Sequence, residues 1–175
     1  MGDLLTARSP LLQDCMRAGV AVGSVITMQM GATRHINQPA DEVFEFLANA
    51  ENNPLWQNGM KSCTWTSEPP IGVGSTYEQH ARFMGKSVRS TFKVTTYEPG
   101  QRIAIMSIES TFPIDVDRAV APTGPESCKV TAVISGGPEG TIAGLVGPFV
   151  GRMAQNLINR DYDRLVELLE SGIHP

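Results

Sequence analysis

From residue 60 to residue 135 the chain is cut by proline and glycine at short intervals, and the stretches between the cuts are rich in strand formers. Pro69-Pro70, Gly85-Lys86, Pro99-Gly100, Pro113, Pro122-Thr123-Gly124-Pro125 and Gly136-Gly137-Pro138 delimit strands expected at 60–67, 75–84, 87–98, 102–110, 114–121 and 128–135. Turns this close together join neighbouring strands as antiparallel hairpins. One long amphipathic helix follows, expected at 149–170, with Phe149, Val150, Met153, Leu157, Ile158, Leu165, Leu168 and Leu169 on a helical stripe. Arg152, Gln155, Asn159, Arg160, Asp163 and Glu167 fall mostly on its other side, and Gly172 suits its end. A curved sheet has one apolar face, and a single helix arriving last must cover it. The order therefore specifies an α+β fold with a hollow between sheet and helix, the kind of place where a small molecule binds.

Upstream, residues 25–37 read as the first strand, ended by Gln38-Pro39. Residues 40–49 read as a helix with Val43, Phe44 and Leu47 on one face, and Asn53-Pro54 starts a further helical turn carrying Leu55 and Trp56. Two short helices followed by hairpin-linked strands support one end of a sheet; they do not make a parallel crossover. Residues 1–24 stand apart from the domain at 25–172. In that leader Ser9 can cap a short helix with Pro10 at its first position and Gly19 at its end, giving a stripe of Leu11, Leu12, Cys15 and Met16. A loosely held leader is the other reading.

Composition narrows the function. A net charge of −4 argues against nucleic acid, which selects clustered Lys and Arg. No apolar run approaches the ~20 residues that span a bilayer, and the first residues lack the basic and apolar regions of a secretory signal. The 3 cysteines, Cys15, Cys63 and Cys128, are widely spaced and fit reduced thiols in a cytoplasm better than a disulfide framework or a metal site. No HExxH, CxxC or nucleophile elbow occurs, and the glycines at 140, 144 and 147 follow a sheet rather than open a nucleotide-binding unit, so neither a metal nor a cofactor is expected.

The segments INQPADEVFEFLANAENNPLWQNG, GVGSTYEQHARFMG, TTYEPGQRI and DYDRLVELLE together resemble the polyketide cyclase/dehydrase branch of the START-like, Bet v 1-like (SRPBCC) superfamily, over about residues 30–170. The matching positions, from Pro39 through Phe44, Trp56, Gly74, Gly85, Tyr97-Glu98-Pro99 and the Leu165 stripe, are fold markers. The resemblance implies a helix-grip fold, with seven antiparallel strands bent around the C-terminal helix and an apolar cavity between. It does not imply one chemistry, because members include aromatase/cyclases, lipid carriers and hormone receptors. Function has to be argued from the site.

Strand periodicity sorts the side chains. At 75–84 the charged set Glu78, His80 and Arg82 marks the wet face, leaving Tyr77, Gln79, Ala81 and Phe83 inward. At 87–98 Arg89 and Lys93 are outward, leaving Val88, Ser90, Phe92 and Val94 inward; at 128–135 Lys129 is outward, leaving Cys128, Val130, Ala132 and Ile134 inward. The strand at 103–109 is apolar on both parities, so its inward set is either Ile103, Ile105, Ser107 and Glu109 or Ala104, Met106, Ile108 and Ser110. At 114–121 the apolar parity Ile114, Val116 and Val120 carries Arg118 inward with it. A buried guanidinium needs a partner. Two readings stand: a structural pair, with Glu109 as the candidate carboxylate, or an anchor for a ligand anion or carbonyl.

The expected function is binding of a hydrophobic, lipid- or polyketide-like small molecule, with Gln79, Phe83, Ser90, Phe92, Met106, Glu109, Arg118, Met153 and Leu157 around it. Met84 is a further flexible wall residue. The alternative is a cofactor-independent cyclase or dehydratase that folds a polyketide-like substrate in the same hollow, with Arg118 steadying oxyanion charge and Tyr77 donating a proton. The glycine-rich segment 136–148, with Ile142, Leu145 and Val146, reads either as a gate over the cavity or as an aid to close packing. A third reading makes the protein a regulatory module that uses its leader and that gate. A homodimer is open to it.

Overall fold

A computed structural model of the protein describes residues 28–83, 85–111, 113–136 and 141–172. The leader expected at 1–24, Met84 and the side chain of Phe83 lie outside the described residues, as do 137–140 and the side chains of Ile142, Leu145 and Val146. Strand β1 (Met28–Ile36) leads to helix α1 (Ala40–Ala48), a 3-10 turn (Ala50–Asn52) and helix α2 (Asn53–Trp56). Six strands follow: β2 (Met60–Trp65), β3 (Thr76–Phe83), β4 (Lys86–Glu98), β5 (Arg102–Glu109), β6 (Ile114–Gly124) and β7 (Ser127–Gly136). Helix α3 (Thr141–Glu170) closes the fold.

All seven strands form one antiparallel sheet in the order β1-β7-β6-β5-β4-β3-β2. The consecutive hairpins give the meander from β2 to β7, and the first strand returns to pair with the last. Two glycines make tight connections workable. Gly59 has φ +83°, and a Cβ there would lie 2.7 Å from the Arg82 carbonyl oxygen, whose residue donates its N–H to Gly59 O. At Gly136 a Cβ would run into the Pro113 carbonyl across the β6–β7 pair.

Helix α3 begins eight residues earlier than the expected 149, so most of the segment read as a glycine-rich gate is helical from Thr141 onward. Ile142, Leu145, Val146 and Phe149 have i, i+3, i+4 and i+7 spacing, a helical period that outweighs the modest cost of Gly144 and Gly147. The polar stripe of α3 also differs from expectation. Gln155 donates to Gly31 O at 2.7 Å and accepts from Gly31 N at 3.2 Å. Arg34 on β1 binds the Asp163 carboxylate at 2.7 Å and the Asn159 carbonyl at 3.1 Å. Asn37 donates from backbone and side chain to Glu170, both at 2.9 Å. These groups do not simply face water. They fasten the helix to β1, whose outer edge would otherwise offer unpaired backbone groups.

The core lies on the sheet's concave face and under α3: Ile36, Trp56, Tyr77, Phe92, Val94, Ile103, Ile105, Val120, Val130, Tyr162, Leu165 and Leu169 are buried. Cys63 and Cys128 are free thiols in that interior. On β5 the ambiguity resolves by burial. Ile103 and Ile105 face the core, and Met106 and Ile108 are exposed.

Candidate functional site

A hollow of about 170 Å³ lies between the sheet and α3. Tyr77 and Gln79 (β3), Phe92 (β4), Ile105 (β5), Ile114, Val116 and Arg118 (β6) and Ile134 (β7) form the sheet side. Asn53, Trp56 and Gln57 close one end from α2, and Ile158, Asp161 and Tyr162 come from α3. Alternation along each strand puts these sheet residues on one face. On α3 the spacing 158, 161/162, 165 and 169 does the same, so the helix that seals the core with Leu165 and Leu169 lines the hollow one and two turns earlier.

Arg118 is the central polar group, only 8% exposed. Its Nε donates to the Tyr162 hydroxyl at 3.2 Å, and its guanidinium carbon sits 5.2 Å from the Trp56 ring centroid. Trp56 and Tyr162 meet edge to face at 5.1 Å, so ring, phenol and cation form one cluster. Tyr77 stacks on Phe92 at 5.4 Å and takes Trp65 edge-on at 5.3 Å, making an aromatic wall. Among the described residues no carboxylate pairs with Arg118; the ion pairs present join Arg34 to Asp163, and Arg102 to Glu98 and Asp117.

Burial sets the protonation states. It pushes the Tyr77 phenol well above its ordinary range, against the opposing pull of Arg118. It lifts the Cys63 thiol to about 11, although the hydrogen bond from Asn53 and the charge of Arg118 both work the other way. Burial also raises Asp161, opposed by the hydrogen bond that its carboxylate accepts from Asn58 N at 2.9 Å and by the charge of Arg164. At neutral pH the phenol and the thiol are therefore uncharged, and neither is poised as a nucleophile or a base. Three buried side-chain atoms in the lining residues, Asn53 Oδ1, Trp56 Nε1 and Gln57 Nε2, lack a hydrogen-bond partner. Among the described residues no group of three or more His, Cys, Asp or Glu is placed to hold a metal ion.

Of the residues expected around a ligand, the structure places Tyr77, Gln79, Phe92 and Arg118 at the hollow. Ser90 is buried on the same face of the sheet but is not among the lining residues. Met106 and Glu109 must be moved out of the site. Met106 is 38% exposed on the convex face, opposite the parity of Ile103 and Ile105. Glu109 is exposed beyond an irregularity in the β4–β5 pairing and accepts from Thr91 Oγ1 at 3.2 Å instead of meeting Arg118. Met153 and Leu157 are half-buried on α3 but do not line the hollow; Ile158, the neighbour of Leu157 on the same apolar stripe, does. Sequence reasoning missed Asn53, Gln57, Asp161 and Tyr162. For Tyr162 a signal existed, because it stands one turn before Leu165 on the buried stripe.

These features define a START-like cup: a curled seven-stranded antiparallel sheet, a long C-terminal helix across it and a hollow between them. The sequence profile of the polyketide cyclase / dehydrase and lipid transport family matches residues 27–172, and the chain belongs to that family. No curated protein matches the chain. Among solved structures, a protein from Thermus thermophilus superimposes with TM-score 0.71 at 19% identity, covering 83% of this chain and 99% of that one. A START superfamily protein from Mycobacterium smegmatis gives 0.63 at 18%, over 83% and 96%. The Zhui aromatase/cyclase from a Streptomyces species gives 0.64 at 14%, over 82% and 94%. At these identities the likeness concerns the fold. Among the described residues no helix is long and apolar enough to cross a membrane.

Proposed function

We propose that the protein binds a small, mainly apolar molecule in the hollow between the sheet and α3, with Arg118 as its polar anchor and Tyr77, Phe92, Trp56 and Ile158 as its walls. The observation that carries this reading is a cationic side chain buried without a counter-charge among the described residues, beside unfilled space. Interiors are normally close-packed and buried charges normally paired, and here both rules fail at one place. Family membership supports the same reading, since the family's description includes lipid transport as well as cyclase chemistry.

The cyclase reading draws on the aromatase/cyclase neighbour and on Asp161, a carboxyl in the lining whose pKa burial raises toward the range useful to an acid–base group. Tyr77 does not strengthen it, because burial moves the phenol away from that range. Binding is therefore the better-supported function.

The test is native mass spectrometry of the purified full chain for a co-purifying small molecule. A thermal-denaturation panel of neutral and anionic apolar compounds, from one ring to a ten-carbon chain, complements it. A ligand present at 100 times its Kd adds about 2.7 kcal/mol of stability. A bound molecule, or a raised midpoint with at least one compound, is the expected result. An empty protein whose midpoint no compound shifts overturns the proposal.

A further inference from the structure

We infer that the hollow is built for a compact monoanion, of which a one-ring aromatic carboxylate is the type, rather than for a lipid or an extended polyketide chain. This rests on the ligand-binding reading above and adds a charge and a size to it.

The charge follows from the bookkeeping of donors. A guanidinium carries five N–H groups and accepts nothing. The protein satisfies Nε of Arg118 through the Tyr162 hydroxyl, and no other hydrogen bond from the guanidinium is made among the described residues. Two of the three unpartnered buried atoms in the lining, Trp56 Nε1 and Gln57 Nε2, are donors as well; only Asn53 Oδ1 is an acceptor. These three atoms are closed off from the hollow itself, so its polar character is set by Arg118. The one lining carboxylate, Asp161, is tied to the Asn58 amide at an exposed stretch of backbone and makes no ion pair with Arg118. The remaining ionisable lining groups are two phenols: Tyr162, whose hydroxyl accepts from Arg118 Nε, and Tyr77, which burial keeps neutral. A ligand carboxylate would take the bidentate place on Arg118 that no group among the described residues fills.

The size follows from the volume. A dry apolar cavity of about 150 Å³ holds benzene, whereas pockets for drug-sized molecules run to about 300–1,000 Å³. At about 170 Å³ the hollow has room for one ring with a small substituent, and a longer chain would have to leave it through its open side. Its shape agrees. Tyr77 and Phe92, stacked 14° from parallel, give the hollow an aromatic wall, with Ile105, Val116 and Ile134 around it. A flat ring against this wall with its carboxylate toward Arg118 uses both features at once.

Isothermal titration of the full-length protein with benzoate, benzyl alcohol and decanoate tests this directly. Benzoate and benzyl alcohol share the ring and differ in charge; benzoate and decanoate share the charge and differ in size. Benzoate is expected to bind at least about tenfold more tightly than benzyl alcohol, the scale of a hydrogen bond to a charged group, and more tightly than decanoate. In Arg118→Gln the preference for benzoate over benzyl alcohol should vanish while benzyl alcohol still binds. Comparing the three ligands on the unaltered protein keeps the test decisive even if that variant fails to fold. Equal binding of benzyl alcohol and benzoate overturns the charge, and tighter binding of decanoate overturns the size; either result leaves the ligand-binding reading standing. If none of the three binds, the inference falls alone when another compound of the broader panel binds, and the parent reading falls with it when none does.

Discussion

Arg118 shows how a single position can be read correctly in direction and wrongly in company. Parity placed its side chain inward, and cost demanded a partner, but the carboxylate considered for it, Glu109, lies on the exposed end of β5. The guanidinium instead rests on Trp56 and Tyr162, two rings from helices that strand periodicity cannot locate. The energetic consequence can be measured. Breaking a buried ion pair costs about 3–5 kcal/mol, because a naked charge remains. Arg118→Met removes the charge itself, with no partner to orphan, and gives up a cation–π contact of about 0.5–2 kcal/mol and one hydrogen bond while releasing a desolvation cost of several kcal/mol. Urea denaturation should show Arg118→Met within about 1 kcal/mol of the parent or more stable; a loss of about 3 kcal/mol or more would reveal a structural pair after all. Asp161 is the second residue to test. Its carboxyl titrates above its unfolded-state value because burial disfavours the charge. The folded protein therefore holds the proton more tightly than the unfolded chain, so ionised Asp161 lowers stability above the folded pKa. That cost is relieved as pH falls through the folded pKa toward the unfolded value. Asp161→Asn keeps an oxygen for the Asn58 amide and removes the titration. The variant should melt higher than the parent at pH 7, and the gap should close as pH falls toward about 4; a constant gap would show that the carboxyl is not what titrates.

At the scale of elements, most of the architecture was legible because local rules and global packing agree. The proline and glycine cuts fall where the hairpins turn, and the strand limits differ from expectation by a few residues at most. Two readings failed, each for its own reason. The start of α3 was present in the spacing of Ile142, Leu145, Val146 and Phe149 but was outweighed by the glycines between them, and the direction of its polar stripe depends on β1, which the helix's own sequence does not state. Gln155, Asn159 and Asp163 look like a solvated face until β1 is in place; then Gly31 and Arg34 turn them into a clasp. Gly31 suits this position, because a Cβ there would stand 3.0 Å from the Ala132 carbonyl oxygen. Gln155→Ala breaks both hydrogen bonds to the Gly31 backbone and should cost about 1–2 kcal/mol. Hydrogen exchange offers a local readout. The Gly31 amide should lose protection in Gln155→Ala, whereas the β3–β4 amides should keep theirs. Equal loss throughout the sheet would mean that the helix is held by its apolar stripe alone and that the clasp adds nothing specific.

For the molecule as a whole, the question is whether the cup is closed by its own side chains or left for a guest. The sheet curls around α3 along Leu165 and Leu169, which are fully buried, and departs from it around Ile158, Tyr162 and Arg118, where space remains. The presence of a hollow could be expected from a sheet covered by one helix, but its position could not. That depends on how far down the helix the large residues run and on Trp56, contributed by a four-residue helix whose sequence signals only a turn. Filling the space distinguishes the two possibilities. Ile134 lines the hollow from β7, at an inward position paired with Met30 on β1 and Val116 on β6. In a close-packed interior Ile134→Phe would force rotamers and backbone apart at a cost of about 1–3 kcal/mol. Over a hollow of about 170 Å³ the added ring has somewhere to go and gains contacts that were missing. The variant should therefore unfold at the same or a higher urea midpoint and, because the ring occupies the ligand's place, lose binding of any compound that shifts the parent's melting. Destabilisation beyond about 1 kcal/mol with ligand binding intact would put the binding place elsewhere on the molecule, whereas retained stability with binding abolished ties the guest to the space beneath the helix.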